Sequence, residues 1–225
     1  MTLLEAVNAV RRELREKPVE SLDAAYDQFL VGLINRAKRW AEDSWDWKAL
    51  RTEVTWSTVV NQVEYNLGTS GVGSTATNSR SRILTDSFGR DMVLNLTDDT
   101  RLSRIPKEVE RSYTLFAQTA AGEPSQFSYK LTGSGIRLSM YPKPDAVYSM
   151  VAVCKIPQGD LSTASTSFTI PADAAIYLKA AAWAAAERGG GQGAEAATLD
   201  EAARRELDTA IQLEAEATEL TAYPV

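Results

Sequence analysis

The 225-residue chain contains no histidine and a single cysteine. Without histidine it lacks the commonest general base and the commonest metal ligand. Serine or cysteine nucleophiles activated by a histidine partner are excluded with it. One cysteine rules out an intramolecular disulfide and a thiolate zinc site, and it suits folding in a reducing cytoplasm. Long apolar runs are also missing. The stretch of lowest polarity, residues 174–186, is mostly alanine, is interrupted by Lys179, and is too short to span a bilayer. The start of the chain acquires an acid at Glu5 and then a mixture of charges, so it lacks the apolar core of a signal peptide. These absences predict a soluble protein with no membrane partner and no cofactor.

What is present is ordinary in amount and unusual in placement. An apolar fraction of 44% argues against disorder, and 225 residues are enough for one large core or two small ones. The formal charge is −6. Residues 187–225 hold nine acids and three bases, which leaves 21 of each sign in residues 1–186. The whole imbalance therefore lies in the last 39 residues.

Periodicity divides the chain into helical ends and a β middle. Thr2 and Glu5 have capping-box spacing, and Leu3, Val7, Val10 and Leu14 follow at helical intervals. After Pro18, a second stripe runs through Tyr26, Phe29, Leu30, Leu33, Ala37, Trp40 and Ala41, with Arg36, Lys38 and Arg39 mostly off it. From Arg51 the period becomes two: Val54, Trp56, Thr58 and Val60 alternate with polar neighbours. Residues 68–82 form a Gly/Ser/Thr loop of a length that is commonly functional or mobile. Short strands are expected at 83–84 and 92–96, and Pro106 opens a short helix bearing Val109, Tyr113 and Phe116. Phe127, Tyr129 and Leu131, then Ile136, Leu138 and Met140, flank a glycine turn as a hairpin, and residues 147–156 are apolar on both faces like a central strand. Alanine-rich helix follows Pro171. The glycines at 189–193 stop it, and Thr198 or Asp200 is expected to cap a last helix reaching about Leu220. The fold class is α+β: a discontinuous helical bundle from both chain ends (1–50 and 172–225) and a mostly antiparallel β domain (51–171) with a short inserted helix.

Chemistry-bearing motifs are weak. Gly68-Thr-Ser-Gly-Val-Gly-Ser74-Thr75 matches a phosphate-binding loop except that Ser74 replaces the lysine whose charge does the work, and no helix pattern follows it. Cys154 alternates with Ala152 and Ile156 in an apolar strand and reads as a buried structural thiol. Paired acids such as Asp43 with Asp46 and Asp98 with Asp99 have no spacing that separates glycosidase carboxylates from solvated turns. Four of the five tryptophans (40, 45, 47 and 56) lie near the helix-to-strand junction and are expected to form a domain-joining core; a carbohydrate platform is the alternative. Basic residues are scattered (Arg11, Arg12, Arg36, Lys38, Arg39, Arg80 and Arg82), so sequence-specific nucleic-acid binding is not expected.

The order of segments carries more than any motif. Ala41-Glu-Asp-Ser-Trp-Asp-Trp47 runs into a Thr/Val strand. Gly122-Glu-Pro124 precedes an aromatic strand, and Leu138-Ser-Met-Tyr-Pro142-Lys-Pro144-Asp145 follows it. Then come Ile156-Pro157, Phe168-Thr-Ile-Pro171, an alanine-rich helix and a glycine break. This order resembles phage head–tail adaptor proteins, including the tail tubular protein A type of short-tailed phages, over nearly the whole chain. The resemblance implies a non-enzymatic virion component at the head–tail junction, synthesised in the host cytoplasm. It would assemble as a dodecameric ring that joins the portal protein to the tail nozzle protein around a channel for DNA ejection. It also implies portal contact through the terminal segment, here Leu220, Tyr223, Pro224 and Val225. The acidic face of the last helix (Glu201, Asp208, Glu216 and Glu219) is then expected to line the channel or to meet a basic portal surface. Repulsion of DNA phosphates from such a wall has a reach of ~8–10 Å. A tail-associated glycan-degrading enzyme or carbohydrate-binding module is the alternative function, and another structural ring or stopper of the virion a third.

Overall fold

A computed structural model describes residues 1–68, 73–105, 120–189 and 193–221, with only the backbone of 218–221. The chain divides into two compact units, Met1–Leu50 with Gln158–Val225, and Arg51–Pro157. Among the described residues there are four α-helices, from both chain ends, and the sheets are mostly antiparallel, so the fold is α+β.

The helical unit contains α1 (Leu3–Glu13), α2 (Ala25–Ser44), α3 (Asp173–Arg188) and α4 (Gly193–Thr221). The capping box is present: the Thr2 hydroxyl accepts from the Glu5 amide, and the Glu5 carboxylate accepts from the Thr2 amide at 2.8 Å. Helix α3 packs against the other three helices. Its buried Ala175, Ala180, Ala181, Ala184 and Ala185 explain how, because side chains this small let neighbouring backbones approach on several sides. Gly189 ends α3 with φ +65. Helix α4 begins at Gly193, several residues before the expected caps. Thr198 bonds back to the Ala194 carbonyl at 2.9 Å, inside the helix, and Asp200 pairs with Lys179 and Arg204. Ala194, Glu195, Ala196 and Ala197 are strong helix formers, so helix propagates back to the glycine break and needs no later cap.

Helix α2 corrects the expected stripe. Lys38 and Glu42 are fully buried, while Phe29 is exposed. The cause is the segment after Pro157, which the sequence pattern placed with the β domain. Its backbone runs along α2 and needs hydrogen-bond partners there. Lys38 Nζ donates to the carbonyls of Gln158 and Gly159, both at 2.7 Å, and lies 3.4 Å from Glu42. Glu42 accepts from the Gln158 amide at 3.1 Å. Asn35 completes the row with two bonds to Leu161, at 2.8 and 2.9 Å. Residues 35, 38 and 42 share one face at helical spacing, which makes a polar ladder within an apolar core. The amides of Leu3 and Leu4 bind the carbonyls of Thr166 and Ala164, so residues 158–170 are held by both N-terminal helices.

The β unit has two sheets with one core between them. In the first, β11 (Ser149–Lys155) is central, with β1 (Arg51–Ser57) on one edge and β3 (Arg82–Ile83) and β4 (Val93–Asn95) end to end on the other; β5 (Thr100–Arg101) extends β4. In the second, the order is β2 (Glu64–Asn66), β9 (Gly135–Tyr141), β8 (Gln126–Thr132) and β6 (Ser103–Arg104), with β6 parallel to β8. A parallel pair, β7 (Ala121–Gly122) with β10 (Lys143–Pro144), stands apart. Val54, Trp56, Met150, Ala152 and Cys154 of the first sheet pack with Phe127, Ile136, Leu138 and Met140 of the second. Alternation along each strand produces this sandwich. The β8–β9 hairpin closes through Gly133 and Ser134, since Thr132 pairs with Gly135. The helix expected after Pro106 lies outside the described residues.

The second half of the long loop is fastened down. Thr77, buried, donates to the Leu67 carbonyl at 2.6 Å and accepts from the Ile136 amide at 3.0 Å. Ser74 bonds to Thr55 of β1 through both its amide and its hydroxyl. Gly135, at φ +136, has no room for a side chain: a Cβ would stand 2.3 Å from Thr77 Oγ1. Residues 69–72 of the loop lie outside the described residues.

Candidate functional site

Helix α4 carries the charge asymmetry. Its apolar half is buried through Ala196, Ala203 and Leu207, with Leu199, Ala210 and Ile211 packed beside them. Glu201, Asp208 and Glu216 are exposed on the other half. The bases of the 187–225 segment are all used in ion pairs: Arg188 with Glu16, Arg204 with Asp200, and Arg205 with Glu201. Lys179 of α3 also bonds Asp200, and this bond is the main cause that lowers the Asp200 carboxyl below its ordinary range. Asp208 and Glu216 have no ion pair among the described residues, so a negative face is left toward the end of the helix. Of the other expected site residues, Glu219 and Leu220 belong to the helical backbone of α4, with side chains not described, and Tyr223, Pro224 and Val225 lie outside the described residues.

The β unit presents two further charged surfaces, of which the residue pattern singled out only Asp98. At the turn between β3 and β4, Asp86 accepts from the amides of Phe88 and Arg90, each at 2.9 Å, and from the guanidinium groups of Arg90 and Arg101. Arg101 is the main cause that holds the Asp86 carboxyl well below the usual range. Arg90, Arg101 and Arg104 line a pocket of about 340 Å³ here, together with Thr85, Asp91 and Ser103. At the other end of β4, buried Asn95 donates to Glu123 at 2.9 Å and to Asp98 at 3.4 Å. A hydrogen bond shared with Asp98 raises the Glu123 carboxyl, and Tyr148, donating to Asp145 at 2.7 Å, is pushed up to about 12. Long-range pairing assembles both groups from separate strands and turns. The Asp86–Arg90, Asn95–Asp98 and Asp145–Tyr148 spacings were available locally; the joining of these turns to Arg101 and Glu123 was not.

The remaining motifs resolve into structure. Cys154 is buried and its thiol is raised to about 12 by desolvation, as suits a core residue. Ser74, at the position of the missing lysine, extends the pairing of β1, and the next described element after it is the strand β3 rather than a helix. The tryptophans do not form one cluster. Trp47 is buried in the helical core and donates to the Ala41 carbonyl, Trp56 belongs to the β core, and Trp45 is exposed. Basic residues are dispersed: Arg11 pairs with Asp27, Arg39 with Asp160, Arg36 lies over the Trp183 ring, and Lys38 is buried. No group of three or more metal-ligating side chains is arranged to hold an ion among the described residues, and no described helix is long and apolar enough to cross a membrane.

The described residues thus place the cysteine in the core, the bases of the 187–225 segment in ion pairs and the unpaired Asp208 and Glu216 of α4 at the surface. The model of the SU10 adaptor protein family matches residues 1–223, and the chain belongs to that family. It is a phage adaptor, a structural component of the virion that interacts with other head or tail parts. Membership points to a structural protein rather than an enzyme. A comparison with curated proteins finds no match.

Proposed function

We propose that this chain is a ring-forming head–tail adaptor, of the tail tubular protein A type, that joins the portal to the tail nozzle and leaves a channel for DNA. The observation that carries the reading is the confinement of the net charge to residues 187–225, on a helix whose exposed half is acidic and whose bases are already paired. A wall of carboxylates repels phosphate over ~8–10 Å and lets DNA slide, whereas arginines would hold it. Glu201, Asp208, Glu216 and Glu219 form that wall. A dodecamer follows from the resemblance to head–tail adaptors, and a heterologous contact repeated around an axis is what closes a ring. The segment of Leu220, Tyr223, Pro224 and Val225 is the portal contact, by the resemblance to head–tail adaptors and because its apolar side chains gain by burial against a partner. The helical unit, residues 1–50 with 158–225, and the β unit, residues 51–157, serve as the two domains of the subunit. Cryo-electron microscopy of the virion tests this: the chain is expected as a ring between portal and nozzle with α4 toward the axis. Density elsewhere in the tail, or α4 facing bulk solvent, refutes it.

A further inference from the structure

We infer that the Phe88 turn of one copy of this chain docks on the strand-end rim of a second copy, formed by Val59, Val60, Leu96 and Val147. The inference rests on the ring reading and names the surfaces that meet in it. Phe88 is 79% exposed, more than any other large apolar side chain described. It is not on a floppy tip. Asp86 holds the turn through two amides and two guanidinium groups, and Gly89 provides the φ of +73 that the turn requires. A preformed knob loses little conformational freedom on docking. The Arg90 guanidinium lies 5.0 Å from the centre of the Phe88 ring, so the knob is an aromatic surface with a cation attached. Aromatic and arginine side chains are those that dominate binding energy at interfaces.

The rim is complementary in both respects. Thr58 bonds to Ala146 and Tyr148, and the Leu96 amide bonds to the Ser149 carbonyl. These ties put Val59, Val60, Leu96 and Val147 at one end of the first sheet, where all four are exposed, Val147 at 67%. Asp98, Glu123 and Asp145 border that end, all exposed. An apolar rim edged with carboxylates suits a partner that brings an apolar group and a cation together, and it repels nucleic acid. Knob and rim are different surfaces of one unit, and in the ring they meet head to tail, a heterologous contact that propagates from copy to copy.

The test uses the full chain at up to millimolar concentration, followed by sedimentation and mass photometry. Wild type is expected to form multimers beyond the dimer. Phe88→Ser and Val147→Asp are each expected to weaken association at least tenfold with unchanged circular dichroism, since both side chains are exposed. Phe88→Cys combined with Val147→Cys is expected to give a ladder beyond the dimer on oxidation, with buried Cys154 silent. Wild-type multimers that persist in Phe88→Ser and Val147→Asp, or a ladder that stops at the dimer, overturn this contact and leave the ring reading standing. A wild-type chain that stays monomeric throughout, including one whose knob serves another virion protein, overturns the contact and counts against self-assembly too.

Discussion

Replacing Lys38 by methionine tests the polar ladder that joins α2 to the segment after Pro157. Lys38 is fully buried, and its ammonium serves two backbone carbonyls at 2.7 Å and the Glu42 carboxylate at 3.4 Å. Methionine keeps the volume of the side chain and removes the charge. Gln158 and Gly159 each lose this ammonium as a donor. Glu42, equally buried, loses its nearby cation and keeps the Gln158 amide. Breaking one side of a buried ion pair costs roughly 3–5 kcal/mol, because the surviving charge is left in a poor solvent. Against a total stability of ~5–15 kcal/mol, that is a large share. The assay is urea unfolding followed by circular dichroism at 222 nm, which reports the helical unit. Lys38→Met is expected to destabilise by about 3–5 kcal/mol, and Lys38→Met with Glu42→Leu by roughly 2 kcal/mol less than the sum of the single changes. A loss below about 1 kcal/mol for Lys38→Met, or strict additivity, would refute the reasoning.

Gly135→Ala is expected to cost roughly 2–4 kcal/mol by strain at φ +136 and collision with Thr77, read as a lowered melting temperature; a neutral effect would show that the 77–135 contact is loose. Thr198→Ala is expected to change stability by less than about 0.5 kcal/mol, since Thr198 lies inside α4, whereas loss of a true cap costs ~1 kcal/mol. The Cys154 thiol, raised to about 12 by burial, stays protonated in the folded chain and ionises near 8.5 when unfolded. Its contribution to stability is therefore complete below about pH 8.5 and falls as pH rises beyond it, and a thiol reagent at pH 8 should label it only at the rate of unfolding. Asp86 has the opposite sign: its folded carboxyl is depressed, chiefly by Arg101, so its tie is complete above about pH 4 and is lost as pH falls. Protection of the Phe88 and Arg90 amides, taken relative to their intrinsic exchange rates, should fall in acid before that of the core, and uniform protection would contradict that.

Local rules account for much of this molecule. The Thr2–Glu5 capping box, the alternation of Val54 with Trp56, the β8–β9 hairpin and the glycine stop after α3 are all contacts between residues near in the chain, so spacing and residue type determined them. The acidic half of α4 was legible for the same reason, because helical period and charge are both local. Tertiary structure decided whatever depends on which backbone arrives from far away. Lys38 looked like a solvent-facing base until residues 158–161 came to lie across α2 with carbonyls to satisfy, and burial followed from that need. Asp200, a candidate cap by its spacing, lies inside α4 and pairs with Lys179, a partner that only the packing of α4 on α3 supplies. The Phe88 knob and the carboxylate-edged rim follow the same logic. Their residues are scattered between positions 59 and 147, and only strand pairing across β1, β4 and β11 brings the rim together. Sequence by itself determined the elements and the charge of their faces; long-range hydrogen bonding and burial decided which polar groups went inside and which apolar ones stayed out.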